Sequence, residues 1–104
     1  MDKYIWKGRI LPGMRDEYIR RHNEIWPEMV AALQESGIRN YSIWNHGDEL
    51  IGYYECPDAQ YAAEYKLKSA VMQRWSASMQ HVMYMETDAE TRRSIVFDKV
   101  FELD

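Results

Sequence analysis

The apolar residues of this 104-residue chain change their spacing as it is read, and the order of those changes limits the available folds more than any single motif. Tyr4, Trp6, Gly8 and Ile10 lie on one side of an alternation with Lys7 and Arg9 on the other, a period of two that predicts a strand. Leu11-Pro12-Gly13 interrupts it. From Met14 to Ile25 the positions Met14, Tyr18, His22 and Ile25 recur at helical spacing. Pro27 lacks the N–H that a helix interior needs but fits a first turn. It therefore predicts a break at Trp26-Pro27 and a second helical piece through Met29, Val30 and Leu33, stopped by Ser36-Gly37. Ile38–Asn45 and Leu50–Cys56 read as strands joined at His46-Gly47-Asp48, a hairpin. Pro57-Asp58 opens a helical stretch in which Ser69 is placed as an internal N-cap. The stripe that follows is Val71, Met72, Trp75, Met79, Val82 and Met83. Met85–Ser94 is polar and carries no signal beyond loop. Ile95, Phe97, Phe101 and Leu103 then alternate with Asp98 and Glu102, which predicts a fourth strand over Ile95–Leu103.

The order β-α-β-β-α-β predicts an α+β, ferredoxin-like domain: one antiparallel four-stranded sheet with the helices on one face. At 104 residues, with no repeat and no Gly/Ser linker, the chain is expected to be one domain over residues 1–104. A domain of this size buries roughly 65% of its unfolded surface, enough for a core without staples. Apolar and aromatic residues fall on both faces of several strands, as in Ile43 beside Trp44 and Tyr53 beside Tyr54. A face meeting only water does not need them, so a second copy is expected to cover the open face of the sheet, giving a homodimer.

Composition removes whole classes of function. Thirteen Lys and Arg against seventeen Asp and Glu give a net charge of -4 and leave no basic block for nucleic acid. No apolar run approaches a bilayer span, and Met1-Asp2-Lys3-Tyr4-Ile5-Trp6-Lys7 has no signal-peptide core, so neither membrane nor secretion is expected and the cytoplasm is. The single cysteine, Cys56, excludes an intrachain disulfide and reads as a small buried hydrophobe. Four Trp and eight Tyr against two Phe are the one excess, and amphipathic rings of this kind suit an interface or a sugar-like ligand.

Tyr18, His22 and Trp26 stand four apart in the dense stretch Glu17–Glu28, which puts a phenol, an imidazole and, if the helix survives to the break, an indole on one helix face. An imidazole gives and takes a proton near neutral pH. On spacing alone, a plain core stripe is the favoured reading. Trp75 is as readily core, and Tyr41 is expected to point away from the face that carries Asn40 and Ser42. Where Tyr18, His22, Tyr41 and Trp75 converge, they would form aromatic walls around one titratable group, suited to a neutral, hydroxyl-rich ligand. His22, His46 and His81 have no metal-ligand spacing, so no metal is expected. Glycine-rich phosphate loops and the G-x-S-x-G hydrolase elbow are absent.

Taken together, Glu17-Tyr18, Arg20-Arg21-His22-Asn23, Ile25-Trp26-Pro27-Glu28, Asn40-Tyr41 and Gln73-Arg74-Trp75 resemble the L-rhamnose mutarotase family over essentially the whole chain. The resemblance implies a ferredoxin-like subunit forming a dimeric α/β barrel. It also implies a cofactor-free isomerase that interconverts the α and β anomers of a 6-deoxy-hexose, with L-rhamnose first and L-fucose as the alternative. Carried over by position, His22 matches the proton donor, and Tyr18, Tyr41 and Trp75 match sugar-binding positions. Ser76 stands where the family pattern has a second tryptophan, which implies a wider wall beside the substrate. Small dimeric α/β barrels also include cofactor-independent monooxygenases and haem-degrading proteins. A sugar-binding module without catalysis is the other alternative.

Overall fold

The computed structural model describes residues 1–104. Strand β1 (Asp2–Ile10) leads through Pro12-Gly13 into helix α1 (Arg15–Asn23), and α2 (Pro27–Glu35) follows after a break. The break has the predicted cause: Pro27 occupies the first turn of α2, and Trp26 before it is extended at φ -61°, ψ 132°. Gly37, at φ +93°, turns the chain out of α2 into β2 (Arg39–His46), which pairs with β3 (Glu49–Cys56) across Gly47-Asp48. Helices α3 (Ala59–Lys68) and α4 (Ala70–Met79) share the cap expected from the sequence. Ser69 ends the first and accepts the Met72 N–H with its hydroxyl at the start of the second, while Asp58 does the same for α3 through Tyr61. Each such cap stabilises its helix by about 1 kcal/mol.

The sheet is antiparallel with strand order β2-β3-β1-β4, which supports the ferredoxin-like expectation, but the fourth strand is not the predicted one. β4 is Met83–Met85, paired to Gly8–Ile10 of β1, and Ile95–Leu103 forms no strand. The period-two pattern at the C-terminus is present, but alternation makes a strand only where a neighbour supplies hydrogen bonds. Met83–Met85 takes part of the β1 edge, and Val96, Val100, Phe101 and Leu103 lie exposed. The stripe read through Val82 and Met83 is corrected with it, because α4 ends at Met79 and the chain turns so that Val82 reaches the core from outside the helix. Met85, assigned to the loop, closes β4, and Thr87 bridges Ser94 in the segment that follows.

The inner face of the sheet carries Ile10 and Leu50, which pack with Tyr18 of α1, Met79 of α4 and Val82 in the main core. A second cluster of Met29, Ala32 and Met72 joins α2 to α4. Cys56 is a buried free thiol, as expected. The other face carries Ile5, Trp44 and Tyr84 in the exposed state, with Trp44 at 68%. No helix is long and apolar enough to cross a membrane.

Candidate active site

Three of the predicted residues meet between the helices. Tyr18 and His22, one turn apart on α1, stack with ring centroids 4.3 Å apart, and Trp75 of α4 meets His22 edge-on at 5.4 Å. Trp26, freed from α1 by the Pro27 break, stands edge-on to Trp75 at 5.2 Å and carries the Arg74 guanidinium over its face at 5.6 Å. The helical spacing that favoured a plain core stripe therefore describes half of the arrangement, since Tyr18 is buried while His22 and Trp75 are only half-buried.

Tyr41 comes from the sheet. Arg39 is opposite Glu55 and Ser42 opposite Tyr53, so β2 holds one residue more than β3 between those pairs, a bulge. Asn40 absorbs it at φ +50°, a left-handed conformation that asparagine tolerates, and anchors its amide on Glu55 at 2.8 Å. The bulge leaves Arg39 and Ser42 on the outer face and turns Tyr41 inward, the direction expected from the sequence. Its ring lies 5.4 Å from Tyr54, and its hydroxyl accepts the Trp6 indole N–H at 2.8 Å. Sequence reading passed over Trp6 as a site residue, treating it as one strand position among several. Its signal was the alternation that places it on the same inner face as Gly8 and Ile10. Ser76 does not join the cluster: it is exposed, about 100° around α4 from Trp75, and its side chain makes no hydrogen bond.

The titratable groups are tuned by burial. His22 Nδ1 lies 3.0 Å from the Tyr18 carbonyl oxygen, and because a carbonyl only accepts, the proton of the neutral ring is assigned to Nδ1. Burial lowers the His22 pKa, and the bond to Tyr18 partly opposes this by favouring the charged ring. The resting imidazole is thus neutral, with its acceptor lone pair on Nε2. Desolvation raises the Tyr18 phenol, with the Tyr41 phenol adding to the effect. Desolvation likewise pushes Tyr41 up to about 12 against the opposing Trp6 N–H. The hydroxyl of Tyr18, Nε2 of His22 and the Trp75 indole N–H have no partner in the chain, yet no buried side-chain polar atom is left unsatisfied, so all three reach solvent. A phenol hydroxyl, an imidazole nitrogen and an indole N–H beside aromatic faces are the kinds of group that orient a polar ring.

Hollows elsewhere do not gather these groups. One of about 420 Å³ lies along α3 at Tyr61, Glu64, Tyr65, Lys68 and Ser69. A second, of about 230 Å³, touches the outer side of Trp26 and Trp75 with Arg20, Arg21, Glu24 and Ser78.

Fold and site together define a small α+β protein in which one histidine is set among aromatic rings. The chain belongs to the L-rhamnose mutarotase family, whose model matches residues 3–103. An L-rhamnose mutarotase of Mesorhizobium japonicum is 42% identical over 93 residues, covering 86% of each chain. One of Oceanobacillus iheyensis is 37% identical over 97 residues, covering 91% of each. The crystal structure of an L-rhamnose mutarotase from Formosa agariphila superposes with a TM-score of 0.78 over the full length of both chains at 20% identity, a likeness of fold.

Proposed function

We propose that this protein is a mutarotase that interconverts the α and β anomers of a 6-deoxy-hexose, with L-rhamnose the expected substrate and L-fucose the alternative. The observation that carries the reading is the His22 ring, stacked on Tyr18 and met edge-on by Trp75, with Nδ1 held on the Tyr18 carbonyl and Nε2 left without a partner in the chain. Ring opening transfers the anomeric hydroxyl proton away as the bond from C1 to the ring oxygen breaks and C1 becomes a carbonyl; the ring oxygen gains a proton. Nε2 of His22 takes the first proton and, as the imidazolium, gives it to the ring oxygen as the acid. Rotation about C1–C2 and the reverse transfers close the other anomer. A positioned acid or base typically contributes ~10²- to 10⁴-fold, useful for a reaction that proceeds slowly unaided. Tyr18, Tyr41 and Trp75 hold the sugar in this scheme, and Ser76, exposed next to Trp75 on α4, could reach it only at the rim. None of these steps uses a metal or redox carrier.

The reading also takes residues 1–104 as one working unit that pairs through the outer face of the sheet into a dimeric α/β barrel. Exposed Trp44, Tyr84 and Ile5 support that pairing, and the lone buried thiol Cys56 suits the reducing cytoplasm. Family membership favours this activity over the oxygenase, haem-degrading and non-catalytic alternatives. Two-dimensional exchange NMR on equilibrated L-rhamnose and L-fucose tests it. Stronger α/β cross-peaks with catalytic protein are expected for at least one sugar, and unchanged exchange for both would overturn the assignment.

A further inference from the structure

The Trp6 indole lies flat on Gly52, its partner across β1 and β3: a Cβ built on Gly52 would fall 2.0 Å from Trp6 Cε2 and Nε1, far inside van der Waals contact. A Cβ at Gly8 would meet the Tyr84 carbonyl oxygen of β4 at 2.9 Å and Trp6 Cζ3 at 3.1 Å, so that position leaves room for the same ring as well as for the neighbouring strand. Two strand positions without side chains thus make a slot on the inner face of the sheet, although glycine weakens a strand and needs a reason to be there. The slot aims the indole N–H at one acceptor, the Tyr41 hydroxyl. The Asn40 bulge brings that hydroxyl to the same place from β2.

The polarity of this contact has a consequence. An indole N–H can only donate, so the Tyr41 oxygen must accept from it. A phenol has a single proton, and with a lone pair so engaged, that proton is left to be given elsewhere. Tyr41 donates no hydrogen bond to any group of the protein. We propose that Trp6, seated on Gly52, is a positioning residue that fixes Tyr41 as a hydrogen-bond donor to an oxygen of the bound sugar. This rests on the mutarotase reading above and deepens it: the sheet side of the site offers a proton, while neutral His22 on the helix side offers a lone pair. A ligand must therefore present an acceptor to the sheet and a donor to α1, which a pyranose does through its ring oxygen and its anomeric hydroxyl or through neighbouring hydroxyls. The indole N–H also makes a donating Tyr41 proton more polar, because hydrogen bonds in a chain strengthen one another.

The test is Trp6→Phe, which keeps an aromatic ring in the slot and removes the N–H. Exchange rates measured by NMR over a range of L-rhamnose concentrations are expected to show KM raised about fivefold with kcat changed much less, the scale of one net hydrogen bond. Gly52→Ala, which expels the indole, is expected to raise KM alike. Adding it to Trp6→Phe should cost little more, because both remove the same bond. A role in stability alone would move the melting temperature without this split. One reading needs no variant: the Trp6 indole N–H signal of the intact protein, assigned through its proximity to the Tyr41 ring, should shift on saturation with L-rhamnose. Wild-type protein accelerating exchange, with Trp6→Phe at unchanged KM or with the indole signal unmoved at saturating sugar, would overturn this proposal and leave the mutarotase reading intact. Wild-type protein that accelerates neither sugar would remove both.

Discussion

The two faces of the one sheet are built from alternate residues of the same strands, yet they have different contents. The inner face sets Trp6, Tyr41 and Tyr54 beside Ile10 and Leu50, with the polar handle of Trp6 matched to Tyr41. The outer face carries Ile5, Trp44 and Tyr84 in the open and is crossed by ion pairs of Arg9 with Glu86, Asp48 and Glu49. Aromatic residues serve on both, so their number says little. What distinguishes the faces is whether each polar edge is answered within the chain. On the inner face the Trp6 indole N–H is matched to the Tyr41 hydroxyl, and the candidate site lies on that side. On the outer face exposed apolar side chains and ion-paired charges lie side by side, the surface through which the proposed pairing would run.

The inner side is the more sensitive of the two to substitution. His22→Ala is expected to lower the exchange rate by ~10²- to 10⁴-fold with the circular dichroism spectrum unchanged, and a fully active variant would remove His22 from the chemistry. Leu50→Ala, beneath the same face, should cost about 2–5 kcal/mol in urea unfolding, as deletions of fully buried leucine do. Trp44→Lys on the outer face should leave exchange at the inner site and the fold in place while shifting sedimentation from dimer to monomer; an unchanged sedimentation profile would place the partner elsewhere. Ser76→Trp should shift relative activity toward L-rhamnose over L-fucose by at most about tenfold, the scale of reshaping a pocket wall, and an unchanged ratio would show that position 76 does not set preference. The finest probe is pH. Because burial depresses the His22 pKa, the neutral working form persists into more acid solution than for a free imidazole, so the acid limb of the rate profile should lie below 6.5. The same depression stabilises the fold above the unfolded-state pKa and is lost as pH falls through the folded one, so His22→Gln should flatten that part of the stability profile.

Much of this was legible in the chain. Pro27, Ser69, Asp58 and the turn at Gly47-Asp48 act locally, through a missing N–H, a side-chain cap or a left-handed glycine, and each lies where local chemistry put it. The C-terminal strand failed because pairing is a property of two segments, and the alternation of Ile95–Leu103 says nothing of which edge is free. Tyr18, His22 and Trp26 were readable as neighbours from helical spacing, although spacing could not say that His22 would be half-open and its Nδ1 held by a backbone carbonyl. Tyr41 and Trp75 were matched to the site through resemblance. Trp6 was missed because its role depends on an absent side chain at Gly52, 46 positions away, and on a one-residue bulge in a third strand.

The brevity of β4 reaches beyond topology. Met83–Met85 covers only Gly8–Ile10 of the nine-residue β1, so the run from Asp2 to Trp6 has a neighbour in β3 on one side and no ladder on the other. An open stretch of main chain of that kind is a template on which a foreign extended peptide can grow, the first step toward uncontrolled self-association. Lys3 stands on this stretch, held by Glu102, and Lys7 stands just past its end, held by Glu86. Charges at those positions make an incoming apolar strand a poor fit, and the same lysines tether the acidic ends that lie nearest. Charge at the margin of a sheet is one of the ways such an edge is made unfavourable for pairing with a foreign strand.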